Sequence, residues 1–272
     1  MAFPDWLRIV LLVLSFASFL PQLQLLWLRR DSSGVSLYYV LFSLIVTTEL
    51  FTIDLSILTS VDGGDIFVHS PATIGDWLNL AQFGTVWFMW VVVFIACIIF
   101  YPRDRPRTVP ASASVIYSCY LLISLVPLIV VPASTGPKDD RKWFDALFTG
   151  FHVLFLNPPI TILGVVSLYP QCRAILGRPR GSGPGALSLV GLAAQAVLFL
   201  LLGFSWWGRL VWPYPAFGRA FRSWFQMVGY VPFDYIMFAV VQAILLYIAV
   251  RHNGWHARAD EAHPASERDP LL

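Results

Sequence analysis

The stretch SFLPQLQLLWLRRDSSGVSLYYVLFSL at 18–44 decides the fold, because its outline returns as SLYPQCRAILGRPRGSGPGALSLVGLAAQAV at 167–197. Each copy runs from an apolar segment through Pro-Gln and a basic turn to Gly-x-Ser-Leu or Gly-x-x-Ser-Leu. A second apolar segment follows in both copies. Repetition of this kind indicates that the chain is internally duplicated.

The composition places the chain among membrane proteins. Of 272 residues, 57% are hydrophobic and only 12% are charged, which leaves too little polar surface to cover so large an apolar core in a soluble domain. Apolar stretches near the length of about 20 residues that crosses a bilayer recur along the whole chain. The predicted spans are 6–28, 36–58, 75–100, 112–132, 146–176, 187–207 and 226–250.

The duplication implies an arrangement for these spans. If each copy holds three spans, a second copy in the same orientation requires one extra crossing, which the span at 112–132 supplies. We therefore predict an all-α membrane protein of seven transmembrane helices, with two parallel three-helix bundles around a watery passage and a linker helix between them, a 3+1+3 order. The predicted units are a first repeat at 1–108, a linker at 109–135, a second repeat at 136–251 and a disordered cytosolic tail at 252–272.

Arginine positions predict the orientation. Arginines are concentrated after the odd-numbered spans, which the positive-inside rule assigns to the cytosol, although the last opposite connection also carries three. The amino terminus is therefore predicted to be lumenal or extracellular and the carboxyl terminus cytosolic. The predicted cytosolic set is Arg29, Arg30, Arg103, Arg105, Arg107, Arg173, Arg178, Arg180, Arg251, Arg258 and Arg268, and the opposing set is Arg209, Arg219 and Arg222.

Other functional classes lack the residues that they need. The net charge of +2 is scattered over membrane edges and forms no single basic face, so nucleic acid is not an expected partner. The spacing of His, Cys, Asp and Glu matches no metal site, and the sequence has no nucleophile motif or phosphate-binding loop. We expect a protein that is not an enzyme and that uses no metal or cofactor.

Each Pro-Gln pair lies inside a predicted span. Pro21 and Pro170 have no backbone donor, which frees a carbonyl one turn earlier and kinks the helix. The amides of Gln22 and Gln171 can bridge such carbonyls or a neighbouring helix. Two interpretations stay open at this point, namely ordinary kinks and a pair of hinges.

Polar side chains within the spans are the next signal. A carboxylate at the bilayer centre costs about 2.5–3.5 kcal/mol even on the more lenient scale, so such groups are expected to face the protein interior. The candidates are Glu49, Asp54, Asp76, Asn79, Gln82, His152, Asn157, Gln195, Asp234 and Gln242.

Spacing separates these candidates. Asp76, Asn79 and Phe83 recur at three and four residues and predict a polar stripe that leads inward on one helical face. Glu49 lies roughly 13 Å inside the lumenal end of its span, near mid-depth, where it is either a coupling or gating acid or part of an interhelical contact. His152 is predicted to pack near the lumenal surface, with pH sensing as the alternative.

The two Pro-Gln copies resemble the PQ-loop family, which includes cystinosin, lysosomal cationic amino acid exporters and, more distantly, the SWEET sugar carriers and KDEL receptors. The likeness spans almost the whole chain. The runs SSGVSLYYVLFSLIVTTELFTIDL at 32–55 and GDWLNLAQFGTVW at 75–87 are similar to a fungal branch of the family. This resemblance implies the two-bundle fold and alternating access.

The resemblance also implies site residues. In the SWEET carriers an asparagine pair on the third span of each repeat faces the substrate, and laying NLAQFG on DYIMFA equates Asn79 with Asp234. An aspartate at one of these positions opens proton coupling or amine binding as an alternative to sugar binding. The roles implied by the resemblance are hinges at Pro21, Gln22, Pro170 and Gln171 and substrate contacts at Asn79 and Asp234. The polar residues of the third span add Asp76 and Gln82 as substrate contacts, and the acids within the spans add Glu49 and Asp234 as proton carriers.

The chain ends in ERDPLL, in which Glu267 precedes Leu271 and Leu272 at the spacing of an acidic dileucine sorting signal. This pattern predicts a vacuolar or lysosomal address that is read by a sorting adaptor. We expect a small-solute transporter for an amino acid or a similar metabolite, with a KDEL-receptor-like sorting receptor and a membrane scaffold as alternatives. The expected partners are the solute and the lipid bilayer, and the oligomeric state stays open.

Overall fold

The computed structural model describes residues 3–60, 67–133, 138–179, 185–211 and 220–261. Over these residues the protein is helical and has no β-strand. Seven helical stretches are long and apolar enough to cross a membrane, as an integral, multi-pass membrane protein requires. We call them spans 1 to 7. They are Asp5–Arg29, Leu37–Thr59, Ile74–Ile99, Thr108–Val130, Asp140–Leu176, Leu189–Trp207 and Phe221–His252.

Spans 1, 2, 3 and 6 are continuous α-helices. Span 3 begins with a capping box, in which Thr73 and Asp76 exchange hydrogen bonds between side chain and backbone. Ser188 caps span 6 by accepting from the N–H of Gly191 at 3.0 Å. Span 1 ends where Arg30 adopts the left-handed conformation, with φ of 48°.

Spans 4, 5 and 7 are composed of shorter helices. Span 4 includes Thr108–Ser124 and most of Val126–Ala133. Span 5 lies within four consecutive helical pieces, which are Lys138–Phe151, the π-helical His152–Leu156, Asn157–Val166 and Leu168–Leu176. Span 7 lies within three, which are Ala220–Trp224, the π-helical Phe225–Gly229 and Tyr230–Glu261.

We call the two π-helical pieces the π-segments; they are His152–Leu156 and Phe225–Gly229. Each comes shortly before proline: Pro158 and Pro159 follow the first, and Pro232 follows the second. A proline cannot donate to the carbonyl one turn earlier, and a π-turn is one local adjustment by which a membrane helix absorbs that loss. The two π-segments contact each other, so both irregularities lie at one place in the molecule.

The last helix extends further than its sequence predicts. It continues to Glu261, so the helix includes residues 252–261 of the segment that the sequence assigns to the tail. Ala257, Arg258 and Glu261 are good helix formers, and Pro264, which disfavours helix in the residue before it, comes only later.

The spans pack with a regular set of neighbours. Span 3 contacts spans 1 and 2, and span 7 contacts spans 5 and 6. We call spans 1 to 3 the first group and spans 5 to 7 the second group. Between the groups, span 1 contacts span 6 and span 2 contacts span 5. Span 4 packs on span 2 and is the least buried of the seven, whereas span 2 is the most buried.

The molecule has two ends, which we call the basic end and the far end. The basic end holds the carboxyl ends of spans 1, 3, 5 and 7, and the far end holds their amino ends. Between the two ends, large apolar side chains point outward, as contact with lipid requires. Examples are Val13, Phe88, Leu122, Ile129, Ile162 and Val197.

Candidate functional site

The glutamine of the first Pro-Gln pair reaches the other copy of the repeat. The Gln22 amide nitrogen donates to the carbonyl of Ala186 at 2.7 Å, and its amide oxygen accepts from the N–H of Ser188 at 2.8 Å. One amide carries both a donor and an acceptor, so it satisfies two backbone groups of the chain that enters span 6.

The glutamine of the second pair makes the same contacts in return. The Gln171 amide nitrogen donates to the carbonyl of Gly34 at 2.8 Å, and its oxygen accepts from the N–H of Ser36 at 2.8 Å. Ser36 and Ser188 are the residues immediately before spans 2 and 6. The two glutamines therefore form reciprocal bridges, each to the start of the second span in the opposite group.

Further bonds join the same segments at the basic end. The N–H of Ala186 donates to the carbonyl of Ser33 at 2.8 Å, and the Arg178 guanidinium donates to that carbonyl at 3.0 Å. The two groups are thus connected at the basic end by backbone and side-chain hydrogen bonds.

The two prolines differ in their effect on the helix. Pro21 lies inside the continuous helix of span 1, whereas in span 5 the α-helix is interrupted at Ser167, three residues before Pro170. The hydroxyls of Ser18 and Ser167 lie at matching positions and donate to carbonyls three residues earlier, at 2.8 and 2.6 Å. Serine thus satisfies backbone acceptors near both prolines.

A small cavity lies between the groups next to Gln22. Its volume is about 20 Å³, and its lining includes Phe19, Tyr39, Trp90 and Gln195. A cavity of this size has room for about one water molecule. The protein therefore holds no space for a metabolite at this place in the present conformation.

Aromatic rings fill the interior on the far side of this cavity. Phe83 of span 3 stacks on Trp206 of span 6 at 4.9 Å and on Tyr235 of span 7 at 6.0 Å. Phe199 packs against Phe19 at 6.4 Å and so joins spans 6 and 1. The expected watery passage is replaced here by close ring packing between the groups.

Asn79, a predicted substrate contact, faces the protein interior. Its amide oxygen accepts from Arg8 at 2.5 Å and from Arg209 at 3.4 Å, and all three side chains are buried. Arg8 also donates to the carbonyl of Gly75 at 3.0 Å. The asparagine oxygen is therefore the point where two guanidinium groups meet.

Arg209 lies just beyond span 6 with an unusual environment. Its guanidinium carbon is 4.8 Å from the ring of Phe3 and 5.4 Å from that of Trp206. Burial, together with the nearby charge of Arg8, lowers the pKa of Arg209 to about 10, so the side chain still carries its charge at neutral pH.

Asp76 and Gln82, also predicted substrate contacts, have partners within the protein. The Asp76 carboxylate accepts from the N–H and the hydroxyl of Thr73, both at 2.8 Å, and contacts His69 at 3.1 Å. The Gln82 amide donates to the hydroxyl of Ser15 at 2.5 Å. Asp76 thus has a helix-capping role that accounts for its burial.

Asp234, the position equated with Asn79, bonds within its own group. Its Oδ1 accepts from the hydroxyl of Thr161 at 2.8 Å, while its Oδ2 has no hydrogen-bond partner among the described residues. Asn79 likewise binds the first span of its group through Arg8. Both side chains are buried, and neither faces lipid.

Glu49 is the centre of a buried polar cluster. Its two carboxylate oxygens lie 2.9 and 3.0 Å from Nδ1 of His152, and the hydroxyl of Tyr120 donates to Oε2. Exposure of Glu49 and His152 is 0% and 1%, so the prediction that His152 packs near the surface is wrong. His152 opens the first π-segment, which directs its ring inward at Glu49.

Further buried acids lie within electrostatic reach of this cluster. The carboxyl groups of Glu49, Asp54 and Asp234 all lie close enough to the hydroxyl of Tyr230 to interact with it electrostatically. Tyr230 is the first residue of the long helix of span 7. Asp54 is buried, and its Oδ2 has no hydrogen-bond partner in the described part of the chain. The interface between the groups thus contains several carboxylates shielded from water.

Sequence reasoning missed three participants in these contacts. Arg8 is absent from the predicted candidates, Arg209 is predicted only as a charge in a connection between spans, and Tyr120 of span 4 gives no polar signal in an apolar run. The inward turn of His152 depends on the π-segment. The adjacent Asn-Pro-Pro at 157–159 is the one sequence feature that could have drawn attention to it.

The sorting residues Glu267, Leu271 and Leu272 lie outside the described residues. Over the described ranges, no group of three His, Cys, Asp or Glu side chains is placed to hold a metal ion.

The fold and the buried polar interior define a seven-span helical membrane protein. Compared with known protein families, with curated proteins and with solved structures, the chain shows no match. The likeness to the PQ-loop family therefore rests on the quoted motifs and their spacing.

Proposed function

We propose that the protein is a PQ-loop type transporter that moves a small solute, an amino acid or a similar metabolite, by alternating access. The observation that carries the proposal is the pair of reciprocal bridges made by Gln22 and Gln171. These bridges connect the two groups at the same end and in the same way, so their release and formation can open and close that end.

The neighbour pattern of the spans supports a 3+1+3 arrangement of two parallel bundles. If span 1 corresponds to span 5, span 2 to span 6 and span 3 to span 7, each observed contact within a group has its counterpart in the other. The contacts of span 1 with span 6 and of span 2 with span 5 exchange with each other under the same correspondence. Span 4 is the peripheral linker in this arrangement.

The present conformation fits an occluded step of such a cycle. The basic end is joined by the glutamine bridges, the far end by the Arg8 and Arg209 contacts with Asn79, and the interior by aromatic rings. Pro21 and Pro170 serve as the hinges. The interruption at Ser167 makes the second hinge the more pronounced of the two.

Proton coupling is part of the proposal, and Glu49, His152 and Asp234 are its residues. A carboxylate and an imidazole in direct contact, both shielded from water, can pass a proton when a conformational change exposes them. Asp234, whose Oδ2 has no hydrogen-bond partner in the part of the chain that the structure describes, is the second carrier. We place the protein in a vacuolar or lysosome-like membrane, with its basic end facing the cytosol.

Transport by purified protein in liposomes with an imposed pH gradient tests the proposal. A panel of amino acids, sugars and organic ions is offered, and uptake of at least one solute above that of protein-free liposomes is expected. Binding of a ligand without uptake would favour the sorting receptor. Neither binding nor uptake across the panel would favour the scaffold and contradict the proposal.

A further inference from the structure

Two buried guanidinium groups share a single neutral acceptor at the far end. Arg8 and Arg209 are 6% and 3% exposed, and both donate to Oδ1 of Asn79. The two positive charges that meet at this amide oxygen repel each other. A neutral amide oxygen offsets that positive charge less than a carboxylate in the same place would.

The compensation of these two charges is incomplete. Nε of Arg8 lies 3.5 Å from Oδ1 of Asp5, whose side chain is 54% exposed and therefore shared with water. The negative charge of Asp76 also interacts with Arg8, but the Asp76 carboxylate already accepts a hydrogen bond from the N–H of Thr73. Arg209 has no carboxylate partner among the described residues, and its contacts there are the neutral Asn79 oxygen and the faces of two aromatic rings.

Free donors accompany this excess charge. Nε of Arg8 and both Nε and Nη2 of Arg209 are buried and have no hydrogen-bond partner within the described ranges. A buried cation without a counter-charge is costly, and unmade charge-assisted hydrogen bonds add to that cost. Donors and charge of this kind match an anion with acceptor oxygens.

We propose that Arg8 and Arg209 form a binding site for a small carboxylate anion, whose oxygens take the place of the Asn79 oxygen between the two guanidinium groups. Guanidinium groups present paired N–H donors in a plane, which matches the two oxygens of a carboxylate. The rings of Phe3 and Trp206 lie against the Arg209 guanidinium, whose Nε and Nη2 have no hydrogen-bond partner among the described residues. The site stands independently of transport.

Sodium acetate is the probe for the test, with sodium chloride at equal ionic strength and neutral acetamide as references. Thermal unfolding of the detergent-purified full chain is measured at increasing concentrations of each. Acetate is expected to raise the midpoint temperature in a saturable manner beyond chloride, and acetamide to leave it unchanged. Equal stabilisation by acetate and chloride would overturn the proposal.

Arg209→Gln tests the site itself, with Arg251→Gln as the matched control, because Arg251 is an exposed arginine at the opposite end. The first change is expected to weaken acetate binding about 10- to 100-fold, since it removes charge-assisted hydrogen bonds. The second is expected to leave binding as in the unmodified protein. An unchanged acetate response in Arg209→Gln would contradict the assignment.

Asn79→Asp keeps the test decisive if Arg209→Gln fails to fold. This change places a carboxylate oxygen where the two guanidinium groups meet, so it is expected to raise the midpoint temperature without ligand. The acetate response is expected to disappear, because the internal carboxylate occupies the site. A variant that still responds to acetate like the unmodified protein would overturn the proposal.

Discussion

At the scale of single residues, the glutamine side chains explain why Pro-Gln recurs in both copies. A primary amide carries a donor and an acceptor, and Gln22 and Gln171 each use both on backbone groups that start another span. From sequence we predicted that these amides bridge freed carbonyls or a neighbouring helix. Their partner across the repeat depends on how the spans pack, which local sequence does not encode.

The first prediction concerns these bridges. Gln22→Ala leaves the carbonyl of Ala186 and the N–H of Ser188 without their side-chain partner, so the free energy of unfolding is expected to fall by about 1–3 kcal/mol. Gln24→Ala is the matched control, because Gln24 is exposed two residues further on, and a change within about 0.5 kcal/mol is expected. Unfolding in a detergent titration provides the measurement. Equal losses in the two variants would contradict the bridge.

The second prediction concerns Glu49. Glu49→Gln preserves the size of the side chain and an acceptor for Tyr120, but it removes the titrating group. Uptake driven by a pH gradient is expected to be lost, while solute exchange at equal pH on both sides continues. Asp104→Asn, at an exposed acid of the basic end, is the control and should keep both activities. Undiminished pH-driven uptake by Glu49→Gln would exclude Glu49 as the proton carrier.

At the scale of elements, the spans themselves follow from the apolar pattern, and their irregularities follow from proline. The predicted spans agree with the observed ones within a few residues at most boundaries. Pro158, Pro159 and Pro232 predict interruptions in spans 5 and 7, but proline alone does not specify a π-turn rather than a kink. The register shift that turns His152 toward Glu49 was therefore beyond sequence reasoning.

The third prediction concerns the close approach of spans 6 and 7. A Cβ on Gly203 would lie 3.2 Å from the carbonyl oxygen of Pro232 and 2.6 Å from Cγ1 of Ile236. Gly203→Ala is therefore expected to lower the free energy of unfolding by about 1 kcal/mol, because overpacking outweighs the better helix propensity of alanine. Gly150→Ala is the control, since a Cβ on Gly150 would have no neighbouring atom within 4 Å. This change is expected to raise the free energy of unfolding by up to about 1 kcal/mol. A gain in both variants would contradict this packing.

At the scale of the whole molecule, the composition and the repeat were sufficient to predict a helical protein with seven membrane spans. They were not sufficient to predict that the interior is closed, because ring packing between Phe83, Trp206 and Tyr235 depends on the approach of the two groups. The same holds for the Arg8 and Arg209 pair, whose members lie in distant parts of the sequence. Both features belong to the interface on which the proposed transport cycle depends.

Alternating access requires the basic end to open, and a reversible cross-link tests that requirement most directly. Ser33 and Ala186 are joined by a backbone hydrogen bond of 2.8 Å, so cysteines at these positions, in a chain whose Cys97, Cys119 and Cys172 are replaced, are close enough to form a disulfide. With a solute identified in the panel, uptake into liposomes is expected to fall to the protein-free level on oxidation and to return on reduction. Equally fast uptake by the oxidised and the reduced protein would contradict the account.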